Sequence, residues 1–568
     1  MIRGNQVSVR RVLRLAIRGA LAGLLSAAVA LGVAELVAGI TGPLSSPVIA
    51  VGGVAINLTP VPLKDFAIAH FGSNDKNVLL GGIVVQLAIF AAVIGMLAVR
   101  WLWIGLAGLA VFGALGVAAI ATRPSAAASD AAPTLIGLSV AAVAMVFLIR
   151  AARMEPRRAA ALTAAGSADH QADPPAPGQA APDLAAPDLP APDLPGPGAR
   201  ITRLEDRDEA ARRQPGRRRF LALGAAATVV AAASGWSGEL LLRRFNVTAL
   251  RAAVRLPRPS VAAAPVPAGA SLNVPGITPF FTSDNSFYRV DTDLVVPQVS
   301  PQDWTLQITG MVDHPIELTF DDLLRRPLIE HDMTLVCVSN AVGGPYAGNA
   351  RWLGASLPAL LRQAGIRRGA NQVLSTGTDG MTISTAIDTI LDGRQALIAV
   401  GMNGQPLPTE HGFPARMLVP GLYGYVSATK WVTKLEVTTF ARQQAYWTQR
   451  GYALQAPIRT ESRIDVPRPL AQVPAGRVAV GGVAWAPHRG ISRVQVNVDG
   501  GAWHTAKLAA ADGTDTWRQW VWPWDASSGL HTLQVRATDG TGAVQTKSEA
   551  GVFPSGATGW DSVVVTVT

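Results

Sequence analysis

The chain has 568 residues, 49% of them hydrophobic and 15% charged, with a formal net charge of +10 and a single cysteine. One cysteine excludes an internal disulfide framework, and so apolar a composition with so few charges is unusual for a purely soluble protein. The length predicts two to four domains, and the apolar excess points to membrane spans.

Four apolar stretches lie early, over 19–40, 78–98, 101–121 and 134–149, each near or above the roughly 17–20 residues that cross a bilayer as a helix. Arg3, Arg10, Arg11, Arg14 and Arg18 precede the first, Arg100 sits between the second and third, and Arg150, Arg153, Arg157 and Arg158 follow the fourth. If the helices alternate, these cations share one side, which the positive-inside rule makes cytoplasmic. Juxtamembrane arginines account for much of the net charge, and no basic segment is interleaved with aromatics, so no nucleic-acid partner is expected. Glu35 is the main polar group within the spans and the only ground for a transport role. Residues 1–154 thus read as a four-helix membrane region.

Residues 155–215 are rich in Ala, Pro and Asp and contain APDL three times. Such composition cannot bury enough apolar surface to fold and reads as a disordered cytoplasmic linker. Over 216–244, Arg217-Arg218-Arg219-Phe220-Leu221 precedes a fifth apolar span. This fits the twin-arginine export pattern, although a basic stop before any membrane helix has the same appearance. Everything after Trp236 then faces the exterior, with 245–282 a spacer that holds the exported part off the membrane.

From 283 to 470 strand-like runs (304–308, 372–374, 417–420) alternate with helical segments (319–326, 357–363), a mixed α+β pattern without a regular βαβ repeat or a Gly-rich dinucleotide loop. Cys337 lies in the apolar β-type run 333–338. Alone it reads as a small core hydrophobe. Its neighbours change that reading. Gly401-Met402-Asn403-Gly404-Gln405-Pro406-Leu407-Pro408, Glu410-His411-Gly412-Phe413-Pro414-Ala415-Arg416, Val419-Pro420-Gly421 and Ala428-Thr429-Lys430-Trp431 follow in order. Together they resemble the molybdopterin-binding domain of the sulfite oxidase family.

Asn285-Ser286-Phe287-Tyr288-Arg289 resembles the family segment that touches the pterin, Thr334-Leu335-Val336-Cys337 the strand whose cysteine ligates molybdenum, and Arg351-Trp352-Leu353-Gly354 a helix start beyond it. The resemblance implies a molybdenum–molybdopterin cofactor with Cys337 as metal ligand. It implies cofactor contacts from Asn285, Tyr288, Arg289, His411 and Arg416, with Ser427 and Lys430 near the phosphate. Cys337, Arg289 and Arg351 are the implied catalytic residues. Thiolate is a soft, strongly donating ligand, and a phosphate with a polar ring edge calls for cationic and amide partners.

Two departures bear on substrate. Animal and plant sulfite oxidases carry a tyrosine where this chain has Val400, and Ala-Gly-Asn-Arg where it reads Val338-Ser339-Asn340 after the cysteine. Val400-Gly401 is more similar to the periplasmic protein-methionine-sulfoxide reductase branch. An apolar group in place of a hydroxyl near the reaction centre predicts weak sulfite turnover.

From 471 to 568, alternating apolar residues at Val478/Val480, Val494/Val496/Val498, Leu533/Val535 and Val563/Val565/Val567, separated by Asp-Gly turns, predict an immunoglobulin-like β-sandwich. Trp517, Trp520, Trp522 and Trp524 are assigned to packing. Gly556-Ala557-Thr558-Gly559-Trp560 resembles the dimerisation domain of sulfite oxidases, which implies a homodimer. No histidine falls within a span and no Cys-x-x-Cys-His occurs, so no haem is expected in this chain. Electrons then pass to or from a cytochrome or a quinone. The sequence therefore predicts a multi-pass membrane protein with an extracytoplasmic catalytic domain, moving an oxygen atom to or from a small sulfur oxyanion or sulfoxide. The alternative is a non-enzymatic surface protein that keeps the cofactor fold as a relic and uses the sandwich for assembly.

Overall fold

The computed structural model describes residues 2–60, 63, 66, 70–71, 75–122, 127–154 and 215–568. The three APDL repeats, Arg157 and Arg158 lie outside the described residues. The chain divides into two compact units, one of 1–54, 79–122 and 126–244, the other of 55–78, 123–125 and 245–568.

The first unit is helical. Its long helices are α1 (Ile2–Thr41), α3 (Asp75–Arg100, from Leu79 onward), α4 (Leu102–Ala121), α5 (Ala132–Arg153) and α6 (Pro215–Leu242). Among the described residues, five helices are long and apolar enough to cross a membrane. Small residues let them touch backbone to backbone: a Cβ on Gly23 of α1 would lie 2.0 Å from the Ala91 carbonyl oxygen of α3. Arg153 donates to the Val99 and Ala98 carbonyls at 2.7 and 2.8 Å, satisfying acceptors that the end of α3 leaves open. Within α1, Glu35 accepts a hydrogen bond from Ser46 at 2.5 Å. An apolar helix of 12 residues, α2 (Pro47–Leu58), was not apparent in the sequence because it is shorter than a span.

The second unit contains two five-stranded sheets around one apolar core. Strands β1 (Thr305–Gly310), β2 (Ile316–Thr319), β5 (Gln372–Gly377), β6 (Thr382–Ala386) and β10 (Val432–Thr438) form the first, in the order β2-β1-β10-β5-β6. Strands β3 (Leu328–Val336), β4 (Ala347–Ser356), β7 (Leu397–Met402) and β8 (Gln405–Pro406) form the second in that order, with β9 (Arg416–Leu418) also on β7. Only β1 with β10 is parallel within these sheets, as the mixed α+β reading requires.

Short helices close the core. After α7 (Thr248–Ala253) and α8 (Phe320–Leu324), α9 (Leu357–Ala364) is capped by Ser356, whose hydroxyl accepts the Ala359 N–H at 3.3 Å. Its buried Leu357, Leu360, Leu361 and Ala364 fall on one helical stripe. Each leucine so buried contributes about 2 kcal/mol. The helix stops at Gly365, whose φ of +70° suits glycine.

A second pair of sheets follows. Strands β11 (Glu461–Val466), β13 (Gly476–Trp485), β16 (Lys507–Leu508) and β17 (Arg518–Ala526) make one sheet, and β12 (Gln472–Val473), β14 (Ile491–Val498), β15 (His504–Thr505), β18 (Gly529–Asp539) and β19 (Asp561–Val567) the other. Inward residues of both, including Val480, Trp520, Trp524, Val494, Leu533, Val535 and Val563, share one core. Because β11 pairs with β13, this region begins ten residues before the expected boundary at 471. Trp517 instead lies outside that core, buried with its Nε1 donating to the Phe280 carbonyl at 2.8 Å.

The expected spacer is integrated into the fold, which corrects the sequence reading. Ser260 and Val261 run beside β3, the Ser260 N–H donating to the Leu328 carbonyl at 2.8 Å and the Glu330 N–H to the Val261 carbonyl at 2.9 Å. Arg251 of α7 donates to the Leu407 and Pro406 carbonyls at 2.7 and 2.6 Å. The physical reason is the exposed edge of β3, whose backbone groups need partners that a Pro-rich strand can partly supply.

Candidate functional site

Cys337 is the first residue beyond β3. Its N–H donates to the Tyr346 carbonyl at 3.0 Å and its carbonyl accepts the Asn340 N–H at 3.0 Å, so the chain turns just after the half-buried thiol. Tyr288 lies within the electrostatic reach of both Cys337 and Arg416. Burial pushes its phenol up, the Cys337 charge pushes the same way and Arg416 opposes them. Its ring stacks on Phe287 at 5.3 Å, and Phe287 meets Trp352 and His411 edge-on at 5.8 and 5.4 Å.

Arg416, in β9, is 6% exposed. It donates from Nη1 to the His411 carbonyl at 3.0 Å and stands over the Trp352 ring at 5.2 Å, while its Nε has no partner. Among the described residues no carboxylate pairs with it. Burial pulls its pKa down to about 10, so the guanidinium is still charged at neutral pH. Gly412, at φ +109°, lets the preceding loop lie against Arg416 and Lys430: an added Cβ would stand 3.1 Å from Arg416 Cβ and 3.1 Å from Lys430 Cα. His411 is held neutral, its pKa lowered to about 4 by burial and then by Arg416. Its Nε2 lies 3.1 Å from the Asp284 carbonyl, which can only accept, so the proton is on Nε2 and Nδ1 is left as an acceptor.

A second group of cations gathers on Asp291. Its carboxylate accepts from Lys430 Nζ at 2.8 Å, from Arg289 Nε at 2.8 Å and from Lys76. Burial alone would raise Asp291, but Lys430, Arg289 and Lys76 hold it well below the usual carboxylate range. Asp293 and Asp379, beside it, are pushed up by burial and by neighbouring carboxylates. Lys430 and Arg289 are therefore compensated cations, unlike Arg416. Nothing in the spacing announced Asp291, since Lys430 lies 139 residues away.

The remaining expected residues are placed as follows. Asn285 is exposed in the turn 284–286, next to the Asp284 that receives His411 and Asn403. Arg351 is not at a helix start but inside β4, and its side chain faces away from that of Trp352 because successive strand residues alternate. It forms a bidentate pair with Asp332 at 2.8 and 2.7 Å and is not brought to Arg416. Ser427 is turned inward: its buried hydroxyl donates to the Leu422 and Tyr423 carbonyls, both at 3.0 Å. Val400 is the unpaired residue of a bulge in the β4–β7 ladder and packs, fully buried, in the main core. Asn403-Gly404, both at positive φ (48° and 80°), form the two-residue turn from β7 to β8.

The arrangement fits a phosphorylated, metal-bearing pterin. A buried guanidinium with an orphan N–H and no carboxylate is costly unless an anion completes it. Among the described residues no group of three or more His, Cys, Asp or Glu is placed to hold a metal ion, and a metal held by Cys337 would need its other donors from a cofactor.

This is the site of a molybdopterin-binding oxidoreductase domain. The family model described as "Oxidoreductase molybdopterin binding domain" matches residues 293–447. Human mitochondrial sulfite oxidase is 30% identical over 291 residues, covering 44% of this chain and 52% of the human one. An uncharacterized oxidoreductase of Bacillus subtilis is 33% identical over 152 residues, covering 27% of this chain and 73% of its own. The crystal structure of the sulfane dehydrogenase SoxCD from Paracoccus pantotrophus aligns with a TM-score of 0.43 at 26% identity, covering 48% of this chain and 76% of that one. The chain belongs to the sulfite oxidase family of molybdopterin-dependent oxidoreductases. It spans about half the length of the human enzyme.

Proposed function

We propose that this protein is a membrane-anchored molybdenum-cofactor oxidoreductase that transfers an oxygen atom, with two electrons, to or from a small sulfur oxyanion or sulfoxide outside the cytoplasmic membrane. The observation that carries this reading is the uncompensated Arg416 beside Tyr288 and Cys337. Cys337 supplies the single protein ligand to molybdenum, and the bound group supplies the two-electron redox chemistry. Arg416 holds the cofactor's anionic end, with Trp352 beneath it excluding water. His411, neutral and with Nδ1 open, accepts from the pterin edge, and Asn285 and Tyr288 offer further polar contacts. Arg289 and Lys430, pre-positioned on Asp291, keep the surrounding potential positive for an incoming anion. Arg351 acts by positioning β3 against β4 through Asp332, and Ser427 by locking the turn before Lys430.

The domain order we infer is a membrane region over 1–154, a linker over 155–215, a twin-arginine-like segment with a fifth membrane helix over 216–244, the catalytic domain to about 460, and an immunoglobulin-like dimerisation domain after it. The arginines flanking the spans support a cytoplasmic side opposite the catalytic domain. The similarity to sulfite oxidase supports a sulfur oxyanion as substrate, and the electron partner we infer is a cytochrome or a quinone. The test is full-length protein from a host that makes the cofactor, assayed for molybdenum, for pterin, and for turnover of sulfite and a panel of sulfoxides. Bound cofactor with turnover of one substrate class is expected. Protein free of molybdenum and pterin would overturn the proposal.

A further inference from the structure

Oxygen-atom transfer from water to a sulfur substrate releases two protons with its two electrons, and the reverse reaction takes up both. A buried site needs a group that carries those protons. Cys337 is committed to the metal in the reading above, and Asn340 cannot titrate. Glu461, the first residue of β11, is 2% exposed. Its one hydrogen bond is from Asn340 Nδ2 to Oε2, at 3.5 Å, and Oε1 has no partner. Asn340 in turn donates its N–H to the Cys337 carbonyl at 3.0 Å and accepts the Tyr346 N–H at 2.8 Å. The carboxyl is thus one amide side chain removed from the turn that carries the thiol.

Two further observations converge there. Glu461 is directly paired across the antiparallel ladder with Trp485, so both side chains lie on one face. Trp485 is fully buried and its Nε1 is also without a partner. Its cluster includes Val336, Val338 and Tyr423, the walls of the Cys337 turn. An orphan acceptor and an orphan donor on one buried face are the polar partners that an internal water requires. The charged and titratable groups facing Glu461 are Arg459, from the preceding residues of its own segment, and Tyr423, from the loop after β9. Tyr423 in turn senses both Glu461 and Cys337, after burial, which dominates its upward shift.

We propose that Glu461, reaching the Cys337 turn through Asn340 and an internal water, is the proton-relay residue of this site. It is a positioning and proton-carrying group, not a metal ligand. In the oxidative direction the balance is substrate plus water to oxygenated substrate, two protons and two electrons. The electrons go to the carrier, and Glu461 accepts one proton at a time and passes it outward. Burial pushes its pKa up to about 8, so at neutral pH it is mostly protonated yet able to cycle. The proposal rests on the oxygen-transfer reading of the site.

The test uses detergent-solubilised full-length holoenzyme and Glu461→Gln. Infrared difference spectra of parent minus variant should show a protonated carboxylic acid carbonyl that titrates away near pH 8, whether or not the protein turns over. Molybdenum and pterin content should be unchanged. Turnover should fall about a hundredfold, and the limb of the parent's kcat profile governed by that titration should disappear. Glu461→Asp, which keeps a carboxyl, should recover part of the rate and a shifted limb, and it stands in if the glutamine variant does not fold. An unchanged pH profile in Glu461→Gln, a uniform loss at all pH with the limb retained, or no difference in the carbonyl band would each overturn the proposal. Failure to bind cofactor or turn over sulfur substrates in the parent, with the carbonyl band present, would instead strike the proposed function.

Discussion

Arg416 and the Asp291 group both concentrate positive charge, yet they are built on opposite terms. Around Asp291, Lys430 and Arg289 meet a carboxylate at 2.8 Å and Lys76 joins them, so each cation has a carboxylate partner within the chain. Arg416 has a carbonyl, an indole face and an unused N–H. A fold can tolerate such a cation only if function requires it, because an unpaired buried charge costs several kcal/mol that nothing in the chain returns. In the proposed reading, the contrast separates a place that binds a ligand's anion from a place that shapes potential and holds loops together.

The comparison can be broken most sharply at Cys337. Cys337→Ser replaces a soft thiolate donor with a harder, much less acidic hydroxyl. The variant should fold and keep some pterin through Arg416 but lose oxygen transfer almost entirely, measured with any substrate the parent turns over. Parental activity with an unchanged molybdenum spectrum would return Cys337 to the core.

Next in size is Asp291→Asn, which leaves Lys430, Arg289 and Lys76 without their shared, buried counter-ion and should destabilise the protein by about 3 kcal/mol. The pH dependence carries a definite sign. Asp291 is depressed below its unfolded value of 3.8, so its contribution is present above that value and is lost as pH falls toward the folded pKa. Unfolding midpoints measured between neutral and acid pH should converge for parent and variant at the acid end.

Arg416→Met separates the two regions most cleanly. In protein made without cofactor, removing an uncompensated buried charge should stabilise by about 2 kcal/mol, whereas in a cofactor-producing host pterin content should drop. Thermal melts and pterin assays on the same two preparations read both signs. Destabilisation of the cofactor-free protein would show that Arg416 has a partner within the chain after all.

Ser427→Ala should have the smallest effect. Its hydroxyl serves the Leu422 and Tyr423 carbonyls, so a loss of about 1 kcal/mol in stability with unchanged pterin content is expected. A fall in pterin content at unchanged stability would restore Ser427 to the phosphate.

Much of this molecule is local and was therefore legible. The long apolar helices, α9 with its Leu357/Leu360/Leu361 stripe, the alternation in β14, β18 and β19, and the motif from Met402 to Arg416 all depend on spacings within a few residues to a few tens. Such patterns specify secondary structure, the long apolar helices and family because each is set by hydrophobic periodicity or contiguous motif chemistry. Tertiary structure decided what those patterns cannot encode. Arg351 and Arg416 are both arginines flanked by apolar strand residues; only the fold gives one of them Asp332 and leaves the other without a carboxylate. Val400 packs in the main core because a bulge in the β4–β7 ladder sets its face. Asp291 reaches Lys430 across 139 residues and Glu461 reaches Asn340 across 121, so neither contact leaves a local signal. Charge compensation and burial are properties of pairs and surroundings, fixed when distant segments pack, and they determine here which of several plausible cations can hold a ligand.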